Sequence, residues 1–168
     1  SNSCISLDRN SSGGIYNLSM TGSSQYETII LSSSSSLNIQ NLSLTGNIRI
    51  TGKSSLNAQN FNLDCGSISQ MGCMWVDYNS YISFTDGSVS STNSPLLSIQ
   101  WNSMGYLHNA NFTRSDGNTP HVDLGGLSSV QINGNAHSIN VSCFDLSLAR
   151  DQSDSNSPII DSSCQHNN

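Results

Sequence analysis

The sequence predicts an all-β fold, a parallel β-helix of about six to seven coils wound on one axis. Three observations predict it. The chain repeats itself: SSLNIQNLSLTG at 35–46 returns as SSLNAQNFNLDCG at 54–66, an offset of 19 residues. Within each copy apolar residues come in pairs with one polar residue between them, the alternation of a short half-buried strand. Hydrophobic residues are only 35% and charged residues 10%, while the chain holds 37 Ser and 21 Asn. A narrow solenoid column needs little apolar material, and everything outside it can be small and polar. No stretch carries the i, i+3, i+4, i+7 pattern of a helix over three turns.

The elements follow in order. Residues 1–14, SNSCISLDRNSSGG, are an N-terminal cap or the continuation of a longer helix, with Ile5 and Leu7 starting a strand. The helix proper spans 15–148. IYNLSMTG at 15–22 matches IQNLSLTG at 39–46. The best coil supplies Leu37/Ile39, Leu42/Leu44 and Ile48/Ile50; the next supplies Leu56/Ala58, Phe61/Leu63 and Ile68 with Met71. Val76/Tyr78, Ile82/Phe84 and Val89 follow, so Tyr78 takes a core-facing slot. Strand starts at Leu37, Leu56, Val76 and Leu97 are nearly evenly spaced, and the step to Val130 is longer. That places an irregular insertion at 97–130, and insertions in solenoids become loops that bind. SSVQINGNAHS at 128–138 repeats the coil opening loosely, and Ile139/Val141 follow. Residues 149–168 lose the repeat and read as a polar tail or cap.

Composition and charge exclude several functions. A net charge of −6 with five Lys plus Arg leaves no basic footprint for nucleic acid. No apolar run approaches the ~20 residues of a membrane span, so membrane insertion is not expected. No basic region leads into an apolar one at the start, so a secretion signal is absent or already removed. The five cysteines are an odd set for a fully bridged secreted framework. Cys65 and Cys73 are close enough to bridge, but nothing in the sequence requires it. They read mainly as small buried hydrophobes made in a reducing cell. With no CxxC pair and four scattered histidines, no metal or other cofactor is called for. The run Ser32–Ser36 reads as a solvated turn, and the Asn-x-Ser/Thr sequons are no more than this composition yields by chance.

One polar position recurs. Asn17, Asn41 and Asn60 each stand just before the second strand's first apolar residue; Asn109 continues the series, with Asn79 or Ser80 between. Stacked Asn side chains can hydrogen-bond along the column, and Asn tolerates the αL conformation of tight turns. IQNLSLTG with its asparagine ladder resembles the right-handed parallel β-helices of the pectate-lyase-like fold, clearly over 15–89 and more loosely over 97–141.

The candidate chemistry is acidic and aromatic. Glycosidic hydrolysis needs two carboxylates ~5–10 Å apart. Asp64, Asp86 and Asp116 follow second strands and can form a ladder, which makes Asp86 and Asp116 the catalytic candidates; Asp77 and Asp123 are further ones. Asp86-Gly87 and Asp116-Gly117 are equally ordinary turn dipeptides. For glycan binding the candidates are Trp101 and Tyr106, as rings for stacking, with His108, Arg114 and His121. Arg114 can serve an acidic sugar or pair with Asp116. His121 and His108 near Asp123 lack a nucleophile motif.

Ser/Asn-rich, lysine-poor coils with these cysteines most resemble a bacteriophage tailspike or tail-fibre receptor-binding segment. The resemblance implies a homotrimer on the virion tail that recognises a bacterial surface polysaccharide, with depolymerising activity left open. A bacterial adhesin or autotransporter passenger segment, at the cell surface or secreted, is the alternative. A secreted pectate-lyase-like polysaccharide lyase is a third reading, which wants a calcium-binding acidic cluster and a catalytic Arg or Lys.

Overall fold

The computed structural model describes residues 4–22, 27–66, 72–92, 95–116, 121–135, 139–153 and 159–166. Short and long strands alternate. They are β1 (Ile5–Leu7), β2 (Ser12–Thr21), β3 (Glu27–Leu31), β4 (Ser36–Thr45), β5 (Asn47–Ile50), β6 (Ser55–Asp64), β7 (Met74–Val76) and β8 (Tyr81–Ser91). Then come β9 (Leu97–Ile99), β10 (Met104–Arg114), β11 (His121–Leu124), β12 (Ser129–Gly134), β13 (Asn140–Cys143), β14 (Leu148–Ser153), β15 (Ile159–Ile160) and β16 (Gln165–His166). Odd strands pair with odd and even with even, giving two eight-stranded parallel sheets. The chain is a parallel β-solenoid of about six turns, with no helix among the described residues.

The three short strands expected per coil are one odd strand and the two halves of a bent even strand. The bend sits where the alternation skips. In β4, Leu37 and Ile39 face in, Gln40 and Asn41 both face out, and Leu42 and Leu44 face in again. The outward residue at the bend is in the left-handed region in five successive coils: Asn17 (φ 57°), Asn41 (61°), Asn60 (53°), Asp86 (55°) and Asn109 (50°). Short side chains that bond locally adopt this conformation most readily among non-glycine residues. They also hold each other. Asn41 Nδ2 donates to Asn17 Oδ1 at 2.7 Å, Asn60 Nδ2 to Asn41 Oδ1 at 3.1 Å, and Asn109 Nδ2 to Asp86 Oδ1 at 2.8 Å. The slot between Asn60 and Asn109 therefore belongs to Asp86, not to Asn79 or Ser80. Gly134 (φ 66°) stands next in register, where a Cβ would collide with Asn109 Oδ1.

Register corrects the even spacing read from the sequence. Leu56 stacks on Ile82, and Val76 stacks on Ile50 below and Ile99 above. Val76 and Leu97 belong to the short-strand sheet, while Leu37, Leu56 and Val130 belong to the long-strand sheet. The long step to Val130 came from crossing between the two series. Within 97–130 the described residues, 97–116 and 121–130, carry β9, β10, β11 and the start of β12, each paired with the coils on either side, where an irregular insertion was expected; 117–120 lie outside the described residues. The repeat also runs further at both ends: β1 and β2 pair with β3 and β4, and β14, β15 and β16 extend the sheets beyond residue 148.

The core is a set of inward columns in which large residues face small ones. Phe84 lies in register with Ala58, and Phe61 with Gly87, so the two rings share one layer with centroids 4.3 Å apart. Gly105, where a Cβ would press on Ile99 at 2.5 Å, makes room in the same way.

The corner leading into each long strand has its own motif: two αL residues followed by serine. It reads Arg9-Asn10-Ser11, Ser33-Ser34-Ser35, Gly52-Lys53-Ser54, Tyr78-Asn79-Ser80, Trp101-Asn102-Ser103, Gly126-Leu127-Ser128 and Asp145-Leu146-Ser147, with positive φ at every first and second position. From Ser35 to Ser147 these serines are buried, 0–2% exposed. From Ser54 to Ser128 each hydroxyl accepts the N–H of the serine one coil earlier: Ser54 from Ser35 at 3.1 Å, Ser80 from Ser54 at 3.3 Å, Ser103 from Ser80 at 3.1 Å, Ser128 from Ser103 at 3.1 Å. Ser35 thus ends the reading of Ser32–Ser36 as wholly solvated. Ser103→Ala strands the buried Ser80 N–H and should cost about 1–3 kcal/mol in chemical denaturation. A loss of only a few tenths would mean that this hydroxyl ladder does not hold the corner.

The cysteines depart from the expected unpaired set. Cys65 bridges Cys73 and Cys143 bridges Cys164, with Cα–Cα distances of 5.4 Å and 4.9 Å; Cys4 is free and exposed. Sequence spacing could not show the second pair, whose partners are 21 residues apart and meet only because the chain winds back.

Candidate functional site

The expected glycan-binding residues separate into distinct places. Trp101 occupies the first αL position of its corner, directly above Tyr78 in the preceding coil. Their rings are parallel within 5° with centroids 6.2 Å apart, and both are exposed, 54% for Tyr78 and 57% for Trp101. Tyr78 is therefore not a core residue: inward alternation ends at Val76, and the turn carries the next side chains outward. The equivalent positions one coil away on either side are Gly52 and Gly126. Beside the rings, Asn102 Nδ2 donates to Asn79 Oδ1 at 2.8 Å. Next to Tyr78 in the same coil is Asp77, 3% exposed, which accepts the Trp75 indole N–H at 2.7 Å and lies 4.0 Å from Arg49. Arg49 also approaches Glu27, at 3.6 Å. The corner is thus a parallel aromatic pair flanked by an amide pair, next to an ionic cluster in which Asp77 is buried and Arg49 and Glu27 are partly exposed.

Tyr106 and His108 lie on the outward face of β10, with rings parallel within 5° and centroids 6.3 Å apart. Tyr106 Oη accepts from Asn133 Nδ2 at 3.4 Å. Below them, on the same face, Tyr16, Asn38, Gln40, Asn57, Gln59, Ser83 and Thr85 line a cleft of about 420 Å³.

Arg114 ends β10 and forms a two-pronged pair with Asp116, Nε donating to Oδ1 at 3.1 Å and Nη2 to Oδ2. His121 opens β11 on the other sheet, two residues before Asp123. Asp123 lies between Ser98 and Ser142 in register. Burial holds its carboxyl above the ordinary carboxylate range, and the charge of His121 pulls it back down.

The acidic candidates do not meet. Asp86 is a rung of the asparagine ladder, Asp64 stands in the column of Thr45 and Ser90, and Asp116 is engaged by Arg114. The ladder of carboxylates expected from the sequence is three separate columns. Among the described residues no group of three or more His, Cys, Asp or Glu is placed to hold a metal ion.

The reading from sequence missed Tyr78 as a surface ring, the serine ladder, and the cleft. The serine at each corner was a visible signal, since it precedes the first apolar residues of coil after coil; in a chain so rich in serine it did not stand out.

Comparison with known proteins finds no family model, no curated protein and no solved structure that matches this chain.

Proposed function

We propose that this solenoid is a carbohydrate-binding module that recognises a surface polysaccharide, with Tyr78 and Trp101 as its stacking platform. One observation carries the reading. At a corner where neighbouring coils use glycine, two large rings are held in the αL region (φ 53° and 54°) and turned to solvent. A bulky residue in that region costs about 1–3 kcal/mol, and such strain clusters where side-chain placement matters for function. A flat ring covers the C–H face of a pyranose at low entropic cost, and the Asn79–Asn102 amides beside it offer donors and acceptors to sugar hydroxyls.

The proposal is binding rather than cleavage, because Asp86 and Asp116 are each engaged in the fold. Two settings suit a module of this kind: a tailspike-type homotrimer on a virion that binds a bacterial polysaccharide, and an exported adhesin segment. The two internal disulfides favour the adhesin, since such bridges persist in oxidising compartments and a virion protein folds in a reducing cytoplasm.

Trp101→Ala and Tyr78→Ala, each with an unchanged circular dichroism spectrum, should weaken polysaccharide binding about tenfold or more, since a buried ring is worth ~1.5–3 kcal/mol. Titration against a panel of capsular and cell-wall polysaccharides, with product detection, reads this out. Wild-type affinity in both variants would overturn the reading; release of shortened products would overturn the restriction to binding.

A further inference from the structure

The cleft on the outward face of the long strands shares no residue with the Tyr78–Trp101 corner. We infer that it is a second binding site, and that its ligand is an uncharged linear oligosaccharide lying along the solenoid axis.

The walls are two columns of side chains. One runs Gly14, Asn38, Asn57, Ser83 and the other Tyr16, Gln40, Gln59, Thr85, each residue in register with the next. Parallel stacking sets the step within a column at ~4.8 Å, so four coils span about 14 Å. A pyranose unit is similar in length to one step, and the repeat of the protein can therefore follow the repeat of a sugar chain. The volume, about 420 Å³, falls within the ordinary range of ligand clefts.

The chemistry of the lining selects the ligand. Apart from Gly14, Ile15, Ile39 and Ala58 it is amide, hydroxyl and aromatic, with no Asp, Glu, Lys, Arg or His. An anionic sugar would find no cation there. Asn57 Nδ2 donates to Asn38 Oδ1 at 2.9 Å, which leaves the Asn38 amide with donors and the Asn57 amide with an acceptor for a ligand. The Gln40 and Gln59 amides carry no side-chain hydrogen bond among the described residues. Sugar hydroxyls both donate and accept, and so suit such alternating groups. Tyr16, 75% exposed at one end of the cleft, gives a ring for the terminal sugar.

The rest of the molecule sharpens the contrast. Past the bend, the same strands present only short polar groups outward: Ser19 and Thr21, Ser43 and Thr45, Asn62 and Asp64, Ser88 and Ser90. On the outward faces of these four strands, long amide and aromatic side chains are confined to the half that forms the cleft.

The test is calorimetric titration of the full chain with cellohexaose, xylohexaose and mannohexaose, and with hexagalacturonate as the anionic control. At least one neutral hexasaccharide should bind, and hexagalacturonate should not. Tyr16→Ala and the double variant Gln40→Ala/Gln59→Ala should each weaken that binding about tenfold. Tyr16→Phe, which keeps the ring, should stay within about twofold. The loss caused by Tyr16→Ala should persist in a Tyr78→Ala/Trp101→Ala background, so that failure of the corner reading and failure of this one give different patterns. Silence of all three neutral hexasaccharides, equal binding of hexagalacturonate, or wild-type affinity in Tyr16→Ala would each overturn the inference.

Discussion

Phe84→Ala should lower the unfolding free energy by about 3–5 kcal/mol, seen as a lower urea midpoint. Phe84 is fully buried, sits over Ala58, and stacks on Phe61 at 4.3 Å between centroids. Its neighbours cannot close over the space left behind. Strand spacing is set by hydrogen bonds at ~4.8 Å through every coil, so the walls of the cavity are held apart by the backbone itself. Ala58 beneath the ring and Gly87 beside it are too small to fill the space, and Leu107 above is held in register on its own strand. In a solenoid each coil contacts only its neighbours, so the loss should be felt first in β6, β8 and β10. Hydrogen exchange should show lost protection there before it reaches β2 or β14. A loss below about 1 kcal/mol would mean that this layer is not packed as described.

The second large effect should come from the C-terminal coil. C143S/C164S should cost about 3 kcal/mol, the loop-closure entropy of a 21-residue separation. The two strands of that coil are two residues long, β15 on β13 and β16 on β14. So few ladder hydrogen bonds hold it weakly, and the covalent bridge to Cys143 in β13 is its main tether. With the bridge removed, residues 159–166 should lose amide protection while β4 to β10 keep theirs. If those residues stay as protected as the central coils, the terminal coil is held by its pairing rather than by the disulfide.

Much of the solenoid was legible in the residues because its signals are local. Leu37-x-Ile39 and Leu42-x-Leu44 give the inward faces by a period of two, and Asn17, Asn41, Asn60 and Asn109 mark the bend because αL backbone favours asparagine. Asp86 escaped that series because Asp-Gly reads first as a turn dipeptide, although a carboxylate can accept the same hydrogen bond from the next rung. Tyr78 was misplaced for a related reason. It continues the alternation of Met74 and Val76 by number, and nothing in the sequence marks where the strand stops and the corner begins.

The candidate site was only partly legible. Trp101, Tyr106 and His108 do lie at outward rings, but their partners are set by stacking: Tyr78 beneath Trp101, and His108 beside Tyr106. The aspartates looked equivalent because each follows a strand, yet they fall in different columns.

By itself the sequence determined the fold class, the alternation of faces and the asparagine bends, because each depends on residues that are neighbours along the chain. Tertiary structure decided the register, the cysteine partners, the serine ladder and the cleft. All of these are contacts between coils, where hydrogen bonding from one turn to the next chooses among strands that look alike in sequence and places each side chain over its partner.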